Sequence, residues 1–247
     1  MQRGVPQDAV QSGRYREVTL EDTFRFECKR CGRCCFRSEI VLTPYDLLRL
    51  CQYLKISTFS FIQRYALVAI GPKSGLPILA LDFEGVQERR GGMVGMAPCP
   101  FLSFDGVEFA CGVYPARPGC CRSYPLFRVI KDGEPHFGVQ EVTCPAGRTD
   151  QEYTVAAWIE HEGLEEYHTG NQLFVSQMLR LTEMSQGRQW PTWFVEGLTW
   201  LWYGFSAIKE GRDLREKYTL SMQLAEKVVD RAVKELPDVL WRGSAYE

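Results

Sequence analysis

Apolar positions recur along the chain in different rhythms, and each rhythm predicts a different kind of element. From Met1 to about Thr23 polar residues dominate without a visible period, so residues 1–23 are expected to form an N-terminal arm. At Thr43 a helix start is written out: Thr43 fits an N-cap, Pro44 the first helical position, and Asp46 stands three residues after the cap. Leu47, Leu48, Leu50, Cys51 and Leu54 then give that helix an apolar face, and Ser57 can cap a second short helix through Tyr65. The middle of the chain alternates as strands do. Ile78–Leu81 is a short apolar run, Phe101–Phe104 and Val107–Cys111 flank Asp105-Gly106, and Leu126–Lys131 and Pro135–Val142 flank Asp132-Gly133. Asp-Gly between two such runs is a hairpin signal. Beyond Gly147 the helical period returns. Gln151–Tyr167 and Gln172–Ser185 each read as one helix, and Asp213–Leu236 reads as a long amphipathic helix ending before Pro237. The pattern predicts an α+β fold: an irregular cysteine-rich part with short hairpins and helices over residues 24–148, then a mainly helical region over 149–247.

The cysteines change the picture most. Cys28, Cys31, Cys34 and Cys35 fall within the run ECKRCGRCCF, and all ten cysteines lie between Cys28 and Cys144. Thiols packed this densely repel one another once ionised and oxidise easily; a thiolate-binding cation removes both problems, so the spacing points to a soft metal or an iron–sulfur cluster. Cys28-x2-Cys31-x2-Cys34 matches the first three positions of a ferredoxin-type run, in which a remote Cys-Pro supplies a fourth ligand, and this chain has Cys99-Pro100 and Cys144-Pro145. The same x2 spacing serves zinc, so zinc stays open beside iron–sulfur. The ferredoxin order, the prolines and the scarcity of histidine (His136, His161 and His168 only) tilt the reading toward a [4Fe–4S] cluster. Cys51 sits on an apolar helical stripe and reads as an ordinary buried cysteine. Arg117 and Arg122 bracket Cys120-Cys121. Their N–H groups could donate to cluster sulfur and offset its negative charge, or they could form salt bridges that order a loop.

Composition narrows the class. The 247 residues are 45% hydrophobic, enough for a real core, and the net charge of -2 predicts no nucleic-acid partner. The N-terminal stretch has no apolar h-region, so a secretory signal is not expected, and clustered cysteines then suggest a reducing, cytoplasmic setting. Trp190–Ile208 is the most apolar stretch, but Pro191, Glu196, Gly197 and Gly204 interrupt it. It reads as a buried or partner-facing aromatic segment rather than a transmembrane helix. His161-Glu162 is not followed by the histidine that a zinc-protease helix needs, and no nucleophile elbow, phosphate loop or triad is visible.

The spacing also resembles a known family. Cys28-x2-Cys31-x2-Cys34-Cys35 is similar to the signature of the YkgJ-type cysteine-cluster proteins, described as zinc- or iron-chelating. Its further elements follow in order: Cys99-Pro100-Phe101-Leu102, Cys111-Gly112-Val113-Tyr114, and Arg117-Pro118-Gly119-Cys120-Cys121-Arg122-Ser123-Tyr124-Pro125. The resemblance covers roughly Phe26 to Pro145. It implies eight ligands, at Cys28, Cys31, Cys34, Cys35, Cys99, Cys111, Cys121 and Cys144, with Cys51 and Cys120 as extras. The family includes proteins named as flagellin lysine N-methylases and associated with an iron–sulfur cluster. The resemblance therefore implies metal binding first. A methyltransferase-like activity rests on the resemblance alone, because Gly91-Gly92-Met93-Val94-Gly95 is the nearest approach to a nucleotide loop and reads better as a plain loop. The function expected is a metal-binding redox or cofactor module with an unidentified protein partner. A lysine-modifying enzyme and a zinc-stabilised interaction domain are the alternatives.

Overall fold

The computed structural model describes residues 15–29, 32–37, 40–85, 97–140 and 149–235. Cys31, Cys144, the glycine-containing loop at 91–95, and the expected element ends at Val142 and Leu236 lie outside the described residues.

The chain begins with β1 (Tyr15–Val18) and β2 (Thr23–Arg25), then a one-turn helix α1 (Arg33–Arg37) that carries Cys34 and Cys35. A two-residue β3 (Val41–Leu42) leads into α2 (Pro44–Leu54) and α3 (Thr58–Tyr65), followed by β4 (Ala66–Ile70) and β5 (Pro77–Leu81). Both helix starts follow the capping chemistry in the sequence. The Asp46 N–H donates to Thr43 Oγ1 at 3.1 Å, while Asp46 Oδ2 accepts the Thr43 N–H at 2.9 Å. The Ser60 N–H donates to Ser57 Oγ at 3.1 Å. Such caps, reciprocal at Thr43 and Asp46, satisfy donors that a helix start otherwise leaves bare. β4 pairs with β5 and β5 with β3, a three-stranded antiparallel sheet. Hydrophobic periodicity does not reveal β4, because its exposed Leu67, Val68 and Ile70 do not alternate with polar residues.

Two hairpins follow. β6 (Leu102–Phe104) and β7 (Phe109–Cys111) are joined by residues 105–108 rather than by Asp105-Gly106 alone. The reason is local: Asp105 Oδ1 accepts the N–H groups of both Val107 and Glu108 at 2.9 Å, which folds four residues into the turn. A short 3-10 turn (Tyr114–Ala116) leads to helix α4 (Gly119–Ser123), which holds Cys120 and Cys121. β8 (Leu126–Lys131) and β9 (Glu134–Gln140) then form the second hairpin. Its two-residue turn has positive φ at both Asp132 (52°) and Gly133 (84°), as Asp-Gly permits. β1 pairs on the far side of β9, so part of the segment read as an arm is an edge strand, and β2 pairs with β10 (Glu152–Thr154).

The helical region opens with α5 (Val155–His161) and α6 (Leu164–Gly170), not with one helix over Gln151–Tyr167. Thr154 Oγ1 accepts the Ala157 N–H at 3.1 Å and starts the helix late, and Gly163 at φ 59° breaks it. α7 (Gln172–Ser185), α8 (Thr192–Tyr203), a 3-10 turn (Phe205–Ala207) and α9 (Leu214–Glu235) complete the chain. α8 divides the aromatic segment between two environments. Phe194, Trp202 and Tyr203 are buried, while Trp193 and Trp200 are exposed. Among the described residues no helix is long and apolar enough to cross a membrane. The fold is α+β, as the pattern implied.

The larger core joins α2, β5, α7, α8 and α9 through Leu47, Leu48, Leu79, Leu181, Leu198, Trp202, Met222 and Val229. A polar link crosses it without loose ends. Trp202 Nε1 donates to Gln177 Oε1 at 2.8 Å, and Gln177 Nε2 donates to the Met222 carbonyl at 3.2 Å. Buried polar groups must be paired in this way or they destabilise the fold. Cys99, Cys111, Cys120 and Cys121 pack at the margin of this core. A smaller core of Val18, Phe24, Phe26, Leu126, Val139, Val155, Trp158 and Leu164 lies around β1, β2, β8, β9 and α5.

Candidate metal centre

Four short pieces of chain supply the described thiols. Cys28 follows β2. α1 carries Cys34 and Cys35, and the Cys35 N–H donates to the Gly32 carbonyl at 2.9 Å. Cys99 and Cys111 flank the β6–β7 hairpin, where Leu102 stands opposite Cys111. A direct backbone bond joins the second and third of these pieces: the Cys99 N–H donates to the Cys35 carbonyl at 2.5 Å. Phe36 also meets Phe109 edge-on, with ring centroids 5.8 Å apart. α4 brings Cys120 and Cys121, and its start is fixed by Asp46, whose Oδ1 accepts the Gly119 N–H at 2.8 Å. Asp46 therefore caps α2 and anchors α4 at once. Burial pushes its carboxyl pKa up against the pull of those hydrogen bonds.

The eight described cysteines are free thiols. Cys34 Sγ and Cys35 Sγ lie 3.9 Å apart. Their hydrogen bond lowers the pKa of Cys34 to about 6 and raises that of Cys35, which burial and the negative charge of Cys34, Cys99 and Cys111 raise further. Burial, then Cys111 and Cys34, pushes Cys99 up to about 11. Cys111 is raised by burial first, with Cys34 and Cys28 adding to it. Cys121 is raised by its bond to Cys120, by burial, and by Cys99 and Cys34. The thiols thus act on one another across all four pieces, with Cys34 common to most of these interactions. One thiolate forms easily and its neighbours resist a second charge, which is the condition a bound cation relieves. Cys51 stands apart: burial alone raises it to about 12, and it lies within the apolar core, as its helical stripe implied.

Arg117 acts on this group electrostatically. Its charge lowers the pKa of both Cys34 and Cys111, and that of Cys28 acts back on Arg117. Arg117 and Arg122 also form the salt bridges that were the other reading. Arg117 Nη2 donates to Glu162 Oε2 at 2.5 Å, and Arg122 Nη1 donates to the Glu162 carbonyl at 3.0 Å. Arg122 Nη2 reaches the Pro115 carbonyl at 2.9 Å. Arg117 lies over the Tyr114 ring at 4.3 Å. The buried Nε of each arginine has no hydrogen-bond partner among the described residues, so each keeps one N–H donor in reserve.

Cys34 acts electrostatically on Cys35, Cys99, Cys111 and Cys121, while Cys28 acts on Cys111 and Cys120 on Cys121. Cys120, read as an extra, sits beside Cys121 and donates weakly to the Val41 carbonyl at 3.9 Å. Among the described residues no three His, Cys, Asp or Glu side chains are arranged to hold a metal ion. The histidines have other neighbours: His161 lies tilted against the rings of Tyr153 and Trp158, His168 faces Glu165, and His136 stands opposite Val129 in the β8–β9 hairpin. The donor chemistry is that of a sulfur-only chelator with a cation beside it, and it fits a thiophilic metal or cluster. Sequence reasoning missed Glu162, whose partner Arg117 is 45 residues away, and saw Asp46 only as a cap.

Residues 27–145 match the family model CxxCxxCC, described as a putative zinc- or iron-chelating domain. The match covers the cysteine-bearing pieces and is the family that the spacing resembles; the helical region beyond residue 145 lies outside it. Zinc or iron chelation is the property the family description names, and it supports metal binding here. No curated protein and no solved structure matches the chain.

Proposed function

We propose that this protein is a metal-binding redox or cofactor module that holds an iron–sulfur cluster through Cys28, Cys31, Cys34, Cys35, Cys99, Cys111, Cys121 and Cys144. The observation that carries the reading is the mutual influence of free thiols from four separate chain segments, with Arg117 as their positive neighbour. When bound, such a cluster supplies one-electron transfer, with a potential set by its net charge, hydrogen bonds and exposure. The protein's own contribution is to hold thiolates together, to place their margin against a rigid core, and to set the guanidinium of Arg117 against their negative charge. The cluster is favoured over zinc by the ferredoxin-like order of the first three cysteines, by Pro100 and Pro145, and by histidines engaged elsewhere.

Purification without oxygen tests this. Iron and acid-labile sulfide in matching amounts on a brown protein is the expected result. A colourless protein with stoichiometric zinc overturns the redox reading and leaves a zinc-stabilised interaction domain. A folded protein with neither metal overturns both.

A further inference from the structure

Glu162 lies in the helical region, outside the family match, yet it is one of the most buried charged residues among those described, at 8% exposure. It stands at the C-terminal end of α5, immediately before the reversal at Gly163. Its carboxylate pairs with Arg117, both side chains being 10% exposed, and lies 3.7 Å from Arg122 Nη1. Two further contacts from the same α5–α6 corner grip the same stretch. Trp158 Nε1, one turn earlier, donates to the Ser123 carbonyl at 2.9 Å, and the Tyr167 hydroxyl donates to the Arg117 carbonyl at 3.1 Å. The stretch from Arg117 to Ser123, with Cys120 and Cys121 inside it, is therefore held from three points by residues of the helical region.

A buried guanidinium without an anion beside it is strongly unfavourable, and a long arginine side chain has many rotamers. Glu162 removes both problems for Arg117 while leaving its Nε–H unused. We infer that Glu162 is a positioning residue of the metal centre: through Arg117 and Arg122 it anchors the Arg117–Ser123 stretch that carries Cys121, so that the helical region controls how tightly the metal is held. The inference rests on the metal-binding reading above and deepens it. Glu162 does not touch the metal: it acts through Arg117, as residues behind metal ligands commonly do.

The test compares wild type, E162Q, R117K and the double variant, loaded without oxygen and challenged with a chelator while metal release is followed. Unfolding of the metal-free forms is measured alongside. E162Q keeps the shape and an acceptor oxygen but loses the charge. Each single variant is expected to release metal about tenfold faster. The double variant is expected to release it no faster than the quicker single, because both changes remove one interaction. E162Q releasing metal at the wild-type rate, whatever its effect on unfolding, overturns the inference, and so does a double variant whose effect is the product of the singles. If E162Q does not accumulate folded, E162D, which keeps the charge but shortens the reach, carries the same comparison with the same outcomes. Wild-type protein without metal overturns the parent reading instead, which keeps the two failures apart.

Discussion

Cys34 and Cys51 carry the same side chain in opposite surroundings. Cys34 is exposed among other thiols and near a guanidinium, with its pKa lowered to about 6; Cys51 is sealed among leucines and raised to about 12. Cys34→Ser and Cys121→Ser are expected to lose most bound metal and to lower stability together, since metal binding and folding share free energy. Cys51→Ala is expected to keep full metal content, measured by elemental analysis. Metal loss in Cys51→Ala equal to that in the other two contradicts the assignment. The raised thiol pKa of Cys51 also has a sign. The folded state favours the neutral thiol, so its stabilising contribution is complete below the ordinary thiol pKa of 9.0 and is lost as pH rises toward about 12. Melting of the metal-free protein across that range should fall more steeply for wild type than for Cys51→Ala; parallel curves contradict this. Cys51 was legible because Leu47, Leu48 and Leu50 already marked the face it shares. Glu162 was not, because nothing in His161-Glu162-Gly163 points to an arginine 45 residues back.

At the scale of elements, capping chemistry was readable and long-range anchoring was not. Thr43, Pro44 and Asp46 announce α2, and Ser57 announces α3, because those signals act within four residues. The second role of Asp46, gripping Gly119 at the start of α4, spans 73 positions and leaves no local trace. Asp46→Asn tests that role. The amide can satisfy only some of the three donors that Asp46 now serves, at Thr43 N–H, Thr43 hydroxyl and Gly119 N–H. The expected loss is about 1–3 kcal/mol, measured by denaturant unfolding, together with weaker metal retention as α4 loosens. Unchanged stability and retention would mean that Asp46 is only a cap. The single helix read over Gln151–Tyr167 failed for a related reason. Thr154 begins the helix late, and Gly163 adopts a left-handed conformation that no period reveals. That break places Glu162, Trp158 and Tyr167 around the Arg117–Ser123 stretch.

For the whole molecule, the cysteine margin and the helical region meet through one apolar core running from Ile40 to Ala232, and Cys99, Cys111, Cys120 and Cys121 pack against its edge. Composition showed that a core of this size was affordable, but not which helices would close over which cysteines. A metal bound at that edge is therefore coupled to the whole fold, and its removal by chelation without oxygen is expected to lower the melting temperature measurably. An unchanged melting temperature would uncouple the centre from the core. The central claim is that sulfur from distant parts of the chain converges on one inorganic centre. X-ray absorption at the iron and zinc edges of protein kept from oxygen measures this directly. The account predicts iron as the metal, with a neighbour shell made of sulfur and a second shell of further iron. A shell dominated by nitrogen or oxygen, or protein that folds with no stoichiometric metal, contradicts it.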